Sequence, residues 1–353
     1  MKYKLLAAAA VLLASAGAQA QSSVTMYGIA DVGVQYLTKA DGVHNGASMT
    51  SGNYSGSRWG LRGVEDLGGG LKGIFTLESG FNMDTGSAAD SSRLFNRQAF
   101  VGVQGDFGAL TLGRQQSPLY DFGLIYDPMA LASHYSIGVQ DAWMASSRAD
   151  NAIKYVGGFG GLTASAMYSF GYAPGGELPG DSKEHREFAA GLNYASGPFS
   201  IGGVYEYLQP ATTATDGVDL KVQRAALGAT YAFGPAKLYG GYRWYHANVI
   251  GLGDRNNLWW LGLGYQVTPA LSLTGAAYYQ AIRHTAADPW SFVASMDYSL
   301  SKRTDMYLNL GYALNRTDNG MFSTITLDST NAPANPAEKY NQFGAVVGVR
   351  HRF

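Results

Sequence analysis

The sequence predicts an all-β fold, a 16-stranded antiparallel transmembrane β-barrel with a long, apolar connector after strand 5. Three observations predict it. Apolar residues recur at every second position from Val24 to Phe353, with no amphipathic helix of normal length between. The connectors alternate between tight turns and long polar loops. Charged residues are 14% of the chain against ~25% in soluble domains, while 47 glycines, 24 tyrosines and 13% aromatic residues are high.

The N-terminus, MKYKLLAAAAVLLASAGAQA, sets Lys2 and Lys4 before an apolar run of about a dozen residues and closes on Ala18-Gln19-Ala20. That pattern predicts a signal peptide over residues 1–20, cleaved after Ala20, with residues 21–353 forming one barrel domain. The run is too short to cross ~30 Å of hydrocarbon as a helix. No other segment approaches ~18 consecutive apolar residues, which excludes a helical membrane protein. The chain has 0 Cys, although export leads to compartments where disulfides are usual, so its stability must come from elsewhere. Without Lys2 and Lys4 there are 23 basic against 26 acidic residues, a near balance that gives no case for nucleic acid.

Strands are expected near 24–38, 57–66, 70–81, 93–106, 109–116, 147–157, 161–172, 185–196, 199–208, 221–233, 236–247, 255–267, 271–283, 289–300, 305–316 and 341–353. In 305–316, Met306, Leu308, Leu310, Tyr312 and Leu314 share one face, and Asp305, Tyr307, Asn309, Gly311 and Ala313 the other. Short turns such as 65–69, 106–109, 158–161 and 234–236 trade places with loops such as 39–56, 117–146, 209–220 and 317–340. One tight rim and one ragged rim fit an outer-membrane barrel, because a soluble sandwich mixes connector lengths at both ends. Lipid cannot satisfy backbone hydrogen bonds, so a sheet crosses it only when closed, with its apolar face outward. At this strand number the lumen is too wide for side chains to fill, and water occupies it.

The segments SSVTMYGIADVGVQY, SRWGLRGVEDLGGGLKGIFTLESGF (57–81), RLFNRQAFVGVQGDFGALTLGRQQSPLYD (93–121) and the terminal GVRHRF resemble general porins of Gram-negative bacteria, especially the betaproteobacterial type. The resemblance runs from about Ser22 to Phe353. It implies a water-filled channel for passive diffusion of small hydrophilic solutes and ions. It also implies a homotrimer, contact with outer-membrane lipid and lipopolysaccharide, delivery by the barrel-assembly machinery and, at Phe353, a C-terminal assembly signal.

Neither catalysis nor a cofactor is expected. The six histidines are scattered, no G-x-S-x-G elbow occurs, and no histidine spacing suggests a metal site. The informative charges lie on the polar faces of strands. Aiming one at lipid would cost ~2–4 kcal/mol near the midplane, so Arg58, Arg62, Lys154, Glu78 and Arg243 are expected in the lumen. Arg97 shares its parity with Ala99, Val101 and Val103; it is placed in the lumen on desolvation cost and on the resemblance. The connector 117–146 is apolar for an external loop yet carries Asp121 and Asp127. In the resembled family the loop after the fifth strand folds inward and sets acidic residues opposite an arginine ladder. Asp121 and Asp127 fall at those positions, but where a second carboxylate would follow Asp127 stand Met129, Ala130 and Leu131. Arg58, Arg62, Arg97 and Lys154 then outnumber the two aspartates, which predicts a mild anion preference. Alternatives are a solute-specific channel and a barrel with an adhesive or structural role. Aromatic residues including Tyr36, Trp244, Tyr245, Trp259, Tyr278, Tyr279, Trp290 and Tyr298 are expected in interfacial girdles. Trp260 and Tyr307 lie on the inward parity.

Overall fold

Period-2 patterning is realised as long antiparallel strands. The computed structural model describes residues 23–353 apart from 174–175, 178–182, 211–219, 249–253, 285–286, 319–320, 324–325 and 328–340, so the expected signal peptide and Ala20 lie outside the described residues. The wall consists of β1 (Ser23–Leu37), β2 (Arg58–Gly68), β3 (Leu71–Gly80), β4 (Gln98–Gly105), β5 (Gly108–Gln116), β6 (Arg148–Phe159), β7 (Leu162–Ser169), β8 (Glu187–Ser196), β9 (Phe199–Leu208), β10 (Val222–Phe233), β11 (Ala236–Ala247), β12 (Arg255–Gln266), β13 (Leu271–Ile282), β14 (Trp290–Ser299), β15 (Thr304–Leu314) and β16 (Gln342–Arg352). Each strand pairs antiparallel with its neighbours in sequence. β1 pairs with β16 from Ile29↔Arg352 to Leu37↔Gly344, which closes the sheet and leaves the wall no edge.

Closure is finished by the last residue. Gly28 N–H donates to Phe353 O at 3.0 Å, and Phe353 N–H returns to Gly28 O at 3.1 Å. The Phe353 ring lies over Gly28, where a Cβ would meet Phe353 Cζ at 2.3 Å, so the seam needs glycine there. A short strand, Gly46–Ser51, pairs with the upper half of β1 (Val32–Leu37), while β2 pairs with the lower half (Ser23–Ile29). Between them the chain turns inward. Asp31 holds that turn by accepting from Tyr54 N–H (2.9 Å), Ser55 N–H (2.7 Å) and the Tyr307 hydroxyl (2.5 Å).

The two faces are inverted relative to a soluble protein. On β15, Met306 and Tyr312 are 42% and 39% exposed on the outer surface, whereas Asn309 and Tyr307 are 0% and 2% exposed inside. Outward rings form a chain across β11 to β14: Tyr242–Trp259 at 5.4 Å, Trp259–Tyr279 at 5.6 Å and Tyr279–Trp290 at 4.5 Å between centroids. Such a belt suits the headgroup level of a bilayer. Tyr245 and Tyr278 do not join it; both face inward, where Tyr245 lies under the Arg224 and Arg243 guanidinium groups and Tyr278 is buried. The buried apolar core sits inside the barrel, between the wall and the connector that follows β5.

Candidate functional site: the pore constriction

That connector contains helix α1 (Pro118–Tyr126), a 3-10 turn (Ile137–Val139) and a short helix α2 (Ala142–Ser146). Ser117 caps α1, its hydroxyl accepting from Tyr120 N–H, and Pro118 at the first helical position loses no intrahelical bond. Helical spacing then sorts the side chains. Tyr120 and Leu124, four apart, face the open lumen, while Pro118, Asp121, Phe122 and Ile125 line a second, smaller cavity of ≈260 Å³ toward the wall.

The loop is fastened at several points. Trp260 Nε1–H donates to Tyr126 O (2.8 Å), Tyr126 donates to Asn193 Oδ1, and Tyr278 donates to Asp127 Oδ1 (2.6 Å). Trp143 Nε1–H and Arg224 Nη1 both bond Glu206 Oε2, at 2.8 and 3.0 Å. Asp141 Oδ2 forms an ion pair with Arg243 Nε at 2.9 Å. Burial pushes the Asp141 carboxyl up, but the Arg243 and Arg224 guanidinium groups outweigh it and hold it below its ordinary value. Inward glycines supply room for this seat. A Cβ on Gly228 would meet Tyr126 Cγ at 2.6 Å, and one on Gly262 would meet Pro128 Cγ at 2.3 Å.

Between the loop and β1–β4 lies a cavity of ≈770 Å³. Its lining includes Arg58, Arg62, Arg97, Arg148, Arg350 and Arg352 against a single carboxylate, Glu78. Glu78 accepts from Arg97 Nε (2.8 Å) and from the Tyr27 hydroxyl (3.0 Å). Arg350 and Arg352 are held by Asp305 at 3.0 and 2.7 Å. Among the described residues Arg58, Arg62 and Arg148 form no ion pair; Arg58 and Arg148 donate only to backbone oxygens, of Gly56 and Ser146. One terminal nitrogen of Arg97, Nη2, is buried without an acceptor.

The structure therefore brings Arg58, Arg62 and Arg97 together and separates the other sequence-derived site residues from them. Lys154 points inward but reaches Asp121 Oδ2 (2.5 Å) and Gln116 O (2.9 Å) on the wall side of α1. Asp121 is thus engaged away from the arginines, lining the smaller cavity with Phe122 and Ile125 and paired to Lys154. Asp127, 1% exposed, is buried in the loop's own seat and accepts from Leu131 N–H at 2.8 Å. Arg97 precedes β4, so strand alternation does not bind it, and its side chain turns to Glu78 while Val101 faces out. Trp260 and Tyr307 are spent on anchoring the loop and Asp31. The sequence reading missed Arg148, Arg350 and Arg352 here. Arg350 had a signal, since it falls on the parity opposite Val347 and Val349.

Comparison with known proteins bears on what this cavity is. A family model described as Gram-negative porin matches residues 7–319. The chain is 30% identical to an outer membrane porin protein of Bordetella pertussis across 100% of both chains. It is 33% identical to outer membrane porin protein 32 of Delftia acidovorans across 99% of both. Among solved structures, the anion-selective porin from Comamonas acidovorans superposes with a TM-score of 0.80 at 28% identity, over 94% of this chain and 100% of that one. With its closed wall, inverted faces and inwardly folded loop, the chain belongs to the Gram-negative porin family and is a multi-pass β-barrel of the outer membrane.

Proposed function

We propose that the lumen passes small hydrophilic solutes and ions by diffusion, that anions cross more readily than cations, and that Arg58, Arg62 and Arg97 with Arg148 carry this preference. The observation that carries it is the imbalance at the narrowing, where Arg58, Arg62, Arg97 and Arg148 face Glu78 alone while Arg350 and Arg352 are paired to Asp305. Fixed cations in a confined, partly dehydrated space raise the local concentration of anions and oppose cation entry. The loop supplies no opposing acid to this cavity, so the preference is stronger than a facing pair of aspartates would permit. The solved relative titled an anion-selective porin supports the same sign. Lys154 and Asp121, paired to each other, act as a loop fastening.

The test is the zero-current potential of the reconstituted protein across a KCl gradient. The expected sign is that of chloride, and Arg97→Ala or Arg58→Ala moves it toward potassium; a potassium-directed potential in the unaltered protein overturns the reading. The protein acts as a channel, with no catalytic role.

The assembled form is a homotrimer joined through the smoother side of the wall. Outward residues Ala99, Val101, Val103, Leu110 and Leu112 on β4 and β5 include no ring, whereas every strand from β7 to β16 carries at least one. Lipid and lipopolysaccharide cover the ringed arc, residues 1–20 direct export with cleavage after Ala20, and Phe353 serves the assembly machinery. The mass of the protein in detergent tests the trimer.

A further inference from the structure

We propose that the constriction favours amphiphilic organic anions, a carboxylate joined to an apolar body, over compact or wholly hydrophilic anions of equal charge. This rests on the anion preference above and adds a substrate class to it. The cavity has two unlike walls. On the barrel side, guanidinium groups lie against tyrosine rings: Arg62 over Tyr27 at 5.4 Å, Arg350 over Tyr54 at 4.2 Å and, at the loop's end, Arg148 over Tyr120 at 5.0 Å. A guanidinium stacked on a ring has its face covered by hydrocarbon and turns its planar edge of N–H donors to a carboxylate. On Arg350 that edge is taken by Asp305, Asp297 and Ser55, so the donors on offer are those of Arg62, which has no ion pair among the described residues, and of Arg148, bonded only to Ser146 O. All three pairs line the same ≈770 Å³ space, within the ~300–1,000 Å³ usual for small-molecule sites.

On the loop side the lining is Leu124, Ala130, Leu131 and Ala145 with the hydroxyls of Ser133 and Ser146, and no charged group. Leu124 is 41% exposed. A carboxylate that reaches the arginines must lay the rest of itself along this hydrocarbon. An aryl or alkyl body gains by covering it, because apolar surface on both partners leaves water. A polyhydroxylated body loses hydration there with only the Ser133 and Ser146 hydroxyls as replacement partners, the latter already donating to Ala142 O, and a bare halide gains nothing from the hydrocarbon. The three loop carboxylates that could have made this wall polar are engaged elsewhere, Asp121 with Lys154, Asp127 with Tyr278 and Asp141 with Arg243.

The experiment records chloride current through the full-length mature protein in a planar bilayer while potassium benzoate or potassium gluconate is added. Benzoate should reduce the chloride current at a several-fold lower concentration than gluconate, and Leu124→Asn should bring the two half-blocking concentrations together by raising that of benzoate. Equal block by both salts in the unaltered protein, with the KCl reversal potential still anion-directed, overturns this proposal alone. A cation-directed potential in KCl would instead fault the reading it rests on. If Leu124→Asn shifts benzoate and gluconate by the same factor, the apolar wall does not discriminate and the proposal also fails. Conducting steps from the variant show that it has folded.

Discussion

Asp127 is buried with Tyr278 and the Leu131 N–H as donors, and burial pushes its carboxyl from the ordinary 3.8 up to about 6 against their pull. A raised carboxyl stabilises the folded loop most fully below about pH 4, and that contribution is lost as pH climbs through about 6. Asp127→Asn keeps the acceptor without the charge. It should therefore make the loop more resistant to proteolysis at neutral pH, by at most ~3 kcal/mol, with the advantage vanishing in acid. A variant weaker than the parent at every pH would contradict this. Glu78 offers the opposite lever on conduction, because it is the one carboxylate in the cavity lining and binds Arg97. Glu78→Gln should raise the anion-to-cation permeability ratio; a fall would mean that the Glu78–Arg97 pair orients the other arginines. Residue-scale legibility followed backbone regularity. Arg58, Arg62 and Lys154 sit inside regular strands and were placed inward by parity, whereas Asp121 and Asp127 sit where no strand rule applies.

At the scale of elements, the decisive one is α1, which presents Tyr120 and Leu124 to the pore cavity and Pro118, Asp121, Phe122, Ile125 and Tyr126 to the smaller one. Its seat is cut by inward glycines on the far strands. Gly228→Val would press on Tyr126 Cβ and Cγ, which are too close to the backbone to swing aside, so the loop itself must lift. The expected result is a larger and noisier single-channel conductance with a weakened anion preference. Unchanged traces would show that the loop does not set the narrowing. The strands are readable in the sequence because lipid outside and water inside impose alternation along each of them, from the 8 residues of β4 to the 15 of β1. Helix α1 was not, because a single two-and-a-half-turn helix buried on most sides has no polar stripe to show its period. The glycines that receive it were visible as residues but not as a groove, since their meaning depends on which strand stands opposite the loop.

For the molecule as a whole, stability without any cysteine comes from closure. Every wall strand has two hydrogen-bonded neighbours, β1 and β16 included, and hydrocarbon outside leaves those bonds no competitor. Inside, the loop narrows the lumen without filling it, leaving the arginine-lined ≈770 Å³ space beside it. An adhesive or anchoring barrel has no need of such an opening. Single-channel recording of the purified protein in a planar bilayer tests this most directly. Discrete conductance steps that rise in proportion to salt concentration, grouped in threes, are predicted. A protein that inserts stably into the bilayer yet gives no steps at any salt concentration would show that the lumen is closed, and would contradict the account.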